Sequence, residues 1–308
     1  MVKDKAYFLQ ELENVDVSAS TKRTYAYNLA WMATRMDEWE TGTPTSEQVI
    51  GYMTDNNVNA SRRMNSYTAM KVLHNCRNEP ECSECYKVPL IDCKKCVDAE
   101  YCKQRKTAHQ KKNWVDFGCL KKFTKSMRDA VYAMDKNKPW TKDEYAMLQL
   151  CFILQVHMSF PIRRDLCTLQ WGVEHTDENN YIDTKARELV WNKYKVAKHY
   201  GQIRHKMSRE MWKLFSLIRK QQKMRGITAG FVLLNRYWRK MTKNGYSTWL
   251  VREMKKCPGC EDKCVGVLIL RHSIISHMTR NIPTLQERDS FARSCMHSAH
   301  MNDLYRVH

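Results

Sequence analysis

Four separated segments in the second half of this 308-residue chain carry side chains of the types that attack a phosphodiester. FPIRRDLCTLQW offers Arg163 and Arg164 at the mouth of a helix, and ELVWNKYKVAKHYGQIRHKMS offers Lys195 and Lys198. LILRHSIISHM offers Arg271 and His272, and MHSAHMNDLYRVH offers His297 and Tyr305. Such chemistry needs a nucleophile, cations for the two non-bridging oxygens and a proton donor for the leaving oxygen. Each residue alone has a bland reading: an arginine and a histidine in a basic helix, or a tyrosine anchoring a terminus. Their joint presence in one half-chain is the signal.

A second set of residues has metal-ligand spacing. Cys82-x2-Cys85 and Cys93-x2-Cys96 are two paired-thiolate turns that together complete a four-thiolate zinc site. Cys76 and Cys102 flank them symmetrically, which allows a second metal with His74 or His109, or a shared six-thiolate site. Cys257-Pro-Gly-Cys260 reads as a zinc-knuckle turn with Cys264 as a third thiolate. His272, His277 and Cys295 are candidates for its fourth ligand. Neither cluster suggests an open catalytic position, so both are assigned to folding or to positioning loops. Cys119, Cys151 and Cys167 fall in apolar helical patterns and read as core packing.

The elements that must hold these residues are mostly helices. The chain has only 10 glycines and 7 prolines, and long stretches repeat apolar residues at helical spacing. Ser20 and Thr21 can cap a helix bearing Tyr25, Leu29, Met32 and Met36. Thr45 or Ser46 opens a shorter helix with Val49, Ile50 and Met53, and a third runs from Ala60 with Met64, Tyr67, Met70 and Leu73 on one side. Lys22, Arg23, Arg62, Arg63 and Lys71 are then available on the outside of a small bundle. The cysteine-rich insert spans residues 76–102, and a basic helical stretch containing Lys111 and Lys112 follows. The polar segment from Asp135 to Pro139 marks a boundary, giving domains 1–137 and 138–308 with the CPGC knuckle at 257–264. Thr141 to Glu144 reads as a capping box, the apolar run Leu148 to Met158 as a core helix, and residues 181–209 as a β-hairpin around His199-Tyr200-Gly201. Helices are expected at 210–224, 246–256, 268–280 and 285–296. The fold class is mainly α with a small β-sheet, α+β.

Composition bounds the partners. Fifty-two lysines and arginines against 33 acidic residues give a formal net charge of +19. Basic clusters recur along the whole chain, so a polyanion, nucleic acid above all, is the expected partner. No apolar run approaches the roughly 20 residues that span a bilayer, and the charged N-terminus lacks a signal-peptide pattern. A soluble, intracellular protein without a membrane partner is expected, with nucleus and viral replication site not separated. Thirteen cysteines then favour metal ligation over a disulfide framework.

The order Arg, hairpin Lys, helix Arg-His, His, Tyr resembles the tyrosine recombinase (phage integrase-like) family. Pro161-Ile-Arg163-Arg164 and Asn192-Lys-Tyr-Lys195-Val-Ala-Lys198-His-Tyr-Gly201 are similar to segments of integrases from large eukaryotic DNA viruses and related mobile elements. The resemblance covers almost the whole chain, residues 20–75 looking like the family's helical core-binding domain. It implies that Tyr305 forms a 3′-phosphotyrosine bond, and that Arg271 with Arg163 or Arg164 clamps the phosphate oxygens. It further implies that Lys195 or Lys198 protonates the departing 5′ oxygen and that His297 hydrogen-bonds the phosphate. Neither ATP nor a catalytic metal is implied. The partners implied are double-stranded DNA, held between the two domains, and further protomers, a homotetramer on DNA. Three positions depart from the pattern: Leu268 stands where the family has the His of His-x-x-Arg, either arginine of the pair fits the spacing, and the interval from His297 to Tyr305 is one residue shorter than is usual in bacterial members. A type IB topoisomerase shares the chemistry. A zinc-stabilised, inactive DNA-binding protein of the same fold is the non-enzyme alternative, with a zinc-cluster transcription factor behind it.

Overall fold

A computed structural model describes residues 3–281, 284–296, 303 and 305–307, and it divides into two compact units, 1–103 and 104–308. The division falls before the basic stretch, earlier than the 137/138 boundary expected from the polar segment. The reason is visible in α9, described below, whose buried side chains share one core with the rest of the second unit.

Seven helices form the described part of the first unit: α1 (Lys5–Glu11), α2 (Ala19–Ala33), α3 (Glu38–Thr41), α4 (Ser46–Asp55), α5 (Ala60–Cys76), α6 (Pro80–Glu84) and α7 (Lys87–Cys102). α2 starts at Ala19, just ahead of Ser20 and Thr21, because Ser18 is the residue whose side chain accepts the Thr21 amide. Thr45 and Gln48 make a reciprocal capping box on α4, and Asn59 caps α5. The expected apolar positions Leu29, Met32, Val49, Met53, Tyr67, Met70 and Leu73 are buried in one core. The cysteine-rich insert folds as α6 and α7, and Tyr86 and Cys93 join that core.

The second unit begins with α8 (Ala108–Asn113), α9 (Phe117–Ala133) and α10 (Lys142–Ser159). α9 buries Leu120, Thr124, Met127 and Val131 against α10. α10, opened by the Thr141/Glu144 capping box, is buried nearly all round, as a helix at the centre of a core must be. Two of its polar side chains reach into neighbouring elements. Gln149 donates to the Leu234 carbonyl at 3.1 Å and accepts from the Leu234 amide at 2.7 Å. His157 meets the Tyr246 hydroxyl at 3.4 Å.

A five-stranded mixed sheet follows: β1 (Leu169–Trp171), β2 (Asn180–Asp183), β3 (Glu188–Trp191), β4 (Ile203–Lys206) and β5 (Gly230–Phe231), in the order β4-β3-β2-β1-β5. The expected hairpin is β3–β4, paired antiparallel from Glu188↔Lys206 to Trp191↔Ile203. Its connection holds a short helix, α11 (Ala197–Tyr200), and turns at Gly201, whose φ of +64° suits a residue without Cβ. The sequence carried no sign of β5, whose strand is two residues long. It pairs with β1 beside Gly172, where a Cβ would meet Thr228 and Ala229 at 3.1 Å. α12 (Arg209–Lys223) sends the buried Gln222 to this corner, accepting from Trp171 Nε1 at 2.6 Å and donating to the Val232 carbonyl at 3.0 Å. α13 (Lys243–Met254), α14 (Val267–Met278) and α15 (Leu285–Ser294) complete the unit within a residue or three of the expected helices.

His205 on β4 is buried, with Phe160 stacked on its ring at 4.1 Å and Trp191 Nε1 donating to its Nδ1 at 3.0 Å. Burial pushes it down from 6.5 to about 4. Between those values the unfolded chain binds the proton more readily, so stability present above pH 6.5 is lost as pH falls towards 4, by about 3 kcal/mol. His205→Gln, which can still accept from Trp191, is expected to flatten the fall of the urea midpoint over that window. His157, depressed in the same direction, keeps part of the slope. Parallel profiles for the two proteins would contradict this account.

Candidate active site

α14 presents Arg271, His272 and Ser276 to the C-terminal segment of the same chain. His272 Nδ1 donates to the Tyr305 carbonyl at 2.9 Å, and Ser276 Oγ reaches the same oxygen at 3.4 Å. Ser276 Oγ in turn accepts the Val307 amide at 2.9 Å. Residues 272 and 276 lie one helical turn apart on one face, so a single stripe of α14 grips the backbone on both sides of Tyr305. Asp303 extends the grip, pairing with Arg288 on α15 and accepting Gln104 Nε2 through its carbonyl at 3.2 Å.

The Tyr305 ring is thereby placed against both residues of the Arg-His pair. It stacks on His272 with centroids 4.6 Å apart and 28° between planes, and the Arg271 guanidinium lies 4.9 Å from its centroid. Because Nδ1 of His272 is the donor to a carbonyl, Nε2 is the accepting nitrogen of the neutral ring. Burial holds this histidine below its ordinary value, which keeps it neutral.

Arg271 is only 1% exposed. Burial lowers its pKa to about 10; Tyr305 opposes the shift, whereas the Arg163 guanidinium adds to it. Of the Arg163-Arg164 pair, Arg163 is the one whose charge bears on Arg271. Arg164 is exposed and donates to Asn244 Oδ1 at 3.3 Å, on the far side of the turn formed by Arg164–Thr168. Asp165, buried in that turn, is held by Lys243 of α13 at 2.7 Å. Two cations drawn together in a low-dielectric site repel each other, and an anion with several oxygens relieves both. Phosphate has that shape.

Lys195 and Lys198 stand exposed on the β3–β4 connection. The connection is well braced. Asn180 Oδ1 accepts the amides of Asn192 and Lys193 at 2.8 Å each, and the Tyr194 hydroxyl donates to the Gly201 carbonyl at 2.7 Å. Lys193 is engaged by Glu178 at 2.7 Å. His297 lies outside the described residues. Leu268 is 56% exposed in the first turn of α14 and takes no part in the cluster.

Among the basic residues of the first unit, Arg23 is exposed, while Lys22, Arg62, Arg63 and Lys71 are half-buried. Arg62 lies over Trp31 at 4.6 Å and donates to Asn28 at 3.1 Å, so it fastens α5 to α2. Lys111 and Lys112 are exposed on α8 of the second unit. A cavity of about 570 Å³ lined by Arg236, Trp238, Trp249, Arg252 and Lys256 lies apart from the Tyr305 cluster.

The cysteines are placed differently from their spacing. Cys93 is buried in the apolar core and Cys96 is exposed one turn further along α7. Among the described residues, the group of three metal-ligating side chains within 4.8 Å is His74, Glu79 and Cys82. Cys76, Cys85 and Cys102 are exposed. In the second unit Cys257 and Cys260 are buried and Cys264 is exposed. Cys151 and Cys167 are core residues as expected, but Cys119 is only half-buried and meets the CPGC turn. Sequence reasoning also passed over Ser276 and Asp165, although Ser276 repeats His272 at helical spacing and Asp165 follows the arginine pair.

No protein-family model matches the chain, and no curated protein matches it. Among solved structures, the Tn1549 transposon integrase in complex with transposon right end DNA aligns over 100% of this chain and 95% of its own, with a TM-score of 0.57 and 13% identity. The XerA recombinase aligns over 98% of this chain and 92% of its own, with a TM-score of 0.43 and 11% identity. The chain therefore has the α+β fold of the tyrosine recombinase class, as its likeness to the Tn1549 integrase establishes. At that identity the likeness concerns the fold. No described helix is long and apolar enough to cross a membrane.

If Arg163 and Arg271 share an anion, inorganic phosphate at fixed ionic strength should raise the melting temperature of the wild-type protein. Saturation at a hundredfold over Kd corresponds to about 2.7 kcal/mol. The increment is expected to vanish in Arg163→Gln and to persist in Arg164→Gln. Equal loss in both, or in neither, would remove the distinction drawn between the two arginines.

Proposed function

We propose that this protein breaks and rejoins double-stranded DNA through a covalent bond to Tyr305, as a site-specific recombinase or integrase. The observation that carries the reading is the seat of the Tyr305 ring between Arg271 and His272, with Arg163 as the second cation beside Arg271. The net charge of +19 and the fold shared with an integrase solved on transposon DNA support the partner.

In this reading Arg163 and Arg271 hold the two non-bridging oxygens of the scissile phosphate, and their mutual repulsion falls when the anion arrives. The Tyr305 hydroxyl oxygen bonds to phosphorus and the bond from phosphorus to the 5′ oxygen breaks. Lys195, presented on the braced β3–β4 connection, delivers the proton to that oxygen, with Lys198 as its nearest substitute. The neutral His272 accepts or relays the phenol proton through Nε2, and His297 adds a hydrogen bond to the phosphate. The phosphotyrosine bond stores the energy for rejoining, so the 5′ hydroxyl of a second strand reverses the steps without ATP. Lys22, Arg23, Arg62, Arg63, Lys71, Lys111 and Lys112 supply backbone contacts that position the duplex. Strand exchange requires several protomers, a tetramer in the simplest arrangement.

A nicked suicide substrate carrying the element's own end sequence tests the chemistry. Wild-type protein is expected to give an SDS-stable adduct that is absent in Tyr305→Phe. Arg163→Ala and Arg271→Ala should lower its yield by about 100-fold or more, the usual loss for one oxyanion donor. Arg164→Ala should stay near wild type. Tight binding to that DNA with no adduct from the wild-type protein would leave a DNA-binding protein of the same fold. Relaxation of supercoiled plasmid lacking the site would point to a topoisomerase.

A further inference from the structure

The CPGC turn joins α13 to α14, and its two thiols are fully withdrawn from water: Cys257 is 0% exposed and Cys260 1%. Gly259 takes a φ of +76°, and the Cys260 amide donates to the Cys257 carbonyl at 2.9 Å, closing a tight turn that points both sulfurs inward. The first turn of α9 forms the opposite wall. There the Cys119 thiol donates to the Pro258 carbonyl at 3.3 Å, the same oxygen from which the Cys257 thiol lies at 3.9 Å. Cys257 also shares hydrogen-bonding contact with both Cys119 and Cys260. Cys264 follows on the same loop, its amide tied at 2.6 Å to Asn113 at the end of α8, and Lys263 donates to the Trp114 carbonyl at 2.8 Å. Thus both ends of the loop are fastened to the segment that leads into α9.

Ordinary core packing does not account for this arrangement. A buried structural cysteine sits among hydrocarbon, as Cys151 does, whereas here the Cys257 thiol contacts those of Cys119 and Cys260 beside a peptide carbonyl. A soft divalent cation suits such a cluster, because each sulfur exchanges its proton for a metal bond.

We propose that Cys119, Cys257, Cys260 and Cys264 form a tetrathiolate zinc site that staples the start of α9 to the α13–α14 connection. Four sulfur–hydrogen bonds give way to four sulfur–zinc bonds and the protons pass to solvent. The described geometry has the Cys119 thiol turned onto the Pro258 carbonyl, so this side chain rotates toward Cys257 and Cys260 when the ion enters. Lys263, the nearest cation to Cys260, offsets part of the negative charge of the complex. The other residues considered as a fourth ligand are committed elsewhere. His272 is bound to Tyr305, Cys295 is buried near Arg271, and the His277 ring is stacked on Phe117 at 4.0 Å. The site is closed, with no position for substrate. Its effect is to fix the point from which α14, bearing Arg271 and His272, departs. It stands independently of the recombination reading.

Zinc content of the full-length protein, purified without chelator, tests the site. Cys257→Ser and Cys119→Ser are each expected to lose one zinc per chain relative to wild type, whatever the cysteines of residues 76–102 retain. Unchanged zinc in both variants would overturn the proposal. A second measurement needs no variant: alkylation of the wild-type protein with and without EDTA, read by peptide mass spectrometry. Chelation should expose Cys119, Cys257, Cys260 and Cys264 together, while Cys151 and Cys167 label alike in both conditions. Labelling of Cys119 that ignores the chelator, or recovery of Cys257 and Cys260 as a disulfide, would equally sink the assignment.

Discussion

A guanidinium removed from water keeps its charge only where its surroundings repay the lost hydration, and Arg271 is such a group. Its pKa falls but stays near 10, so it remains a cation throughout the physiological range. The consequence reaches into every neighbouring element. α10 contributes a histidine, His157, that Arg271 and burial together hold neutral. The turn after α10 contributes Arg163 and the buried Asp165, and α13 contributes Lys243 to hold that carboxylate. The C-terminal segment contributes the ring of Tyr305. A second positive charge next to the first is an arrangement that stability alone would select against. Sites that bind anions are the usual exception.

The rest of the second unit serves to make this cluster rigid. α14 is anchored by apolar burial along most of its length, and its polar stripe of His272 and Ser276 is left for the chain terminus. Buried amides do comparable work at a distance: Gln149 holds Leu234 through both backbone groups, and Gln222 joins Trp171 to the edge carrying β5. Each is a polar group fully matched inside a core, which favours one arrangement over many. The basic charge, by contrast, is spread over the surface, where it attracts a polyanion without fixing its register.

Much of this was legible in the sequence. The helices of the second unit, the capping box at Thr141 and the β3–β4 hairpin follow from period and cap chemistry, which are local. What escaped was non-local. Arg163 caps and Arg164 opens a short 3-10 turn, and the spacing of adjacent residues could not say which one bears on Arg271. Cys119 has the helical spacing of a core residue, and only the approach of a loop from far along the chain gives it sulfur neighbours. The paired spacing of Cys82, Cys85, Cys93 and Cys96 suggested two thiolate turns; that α7 runs through the second pair and buries Cys93 depends on packing that the spacing does not carry. β5 was invisible because a two-residue strand has no period.

The departure at Leu268 gains a physical reading from the same geometry. Positions 268 and 271 lie about one turn apart, yet Leu268 is exposed while Arg271 is buried, so the side chain at 268 is turned to solvent. Position 272 is rotated by about 100° from Arg271, and a ligand touching both must sit between the two faces. Tyr305 does so, its ring against His272 on one side and Arg271 on the other. The backbone bonds from His272 and Ser276 to residues 305 and 307 bring the segment to that position. The segment bearing the tyrosine lies across α14 where both neighbours can reach it. An imidazole in the first turn of α14 would face open water instead, where the exposed Leu268 now stands. A polar group there has little to gain from the site, which is why a leucine is tolerated at the position.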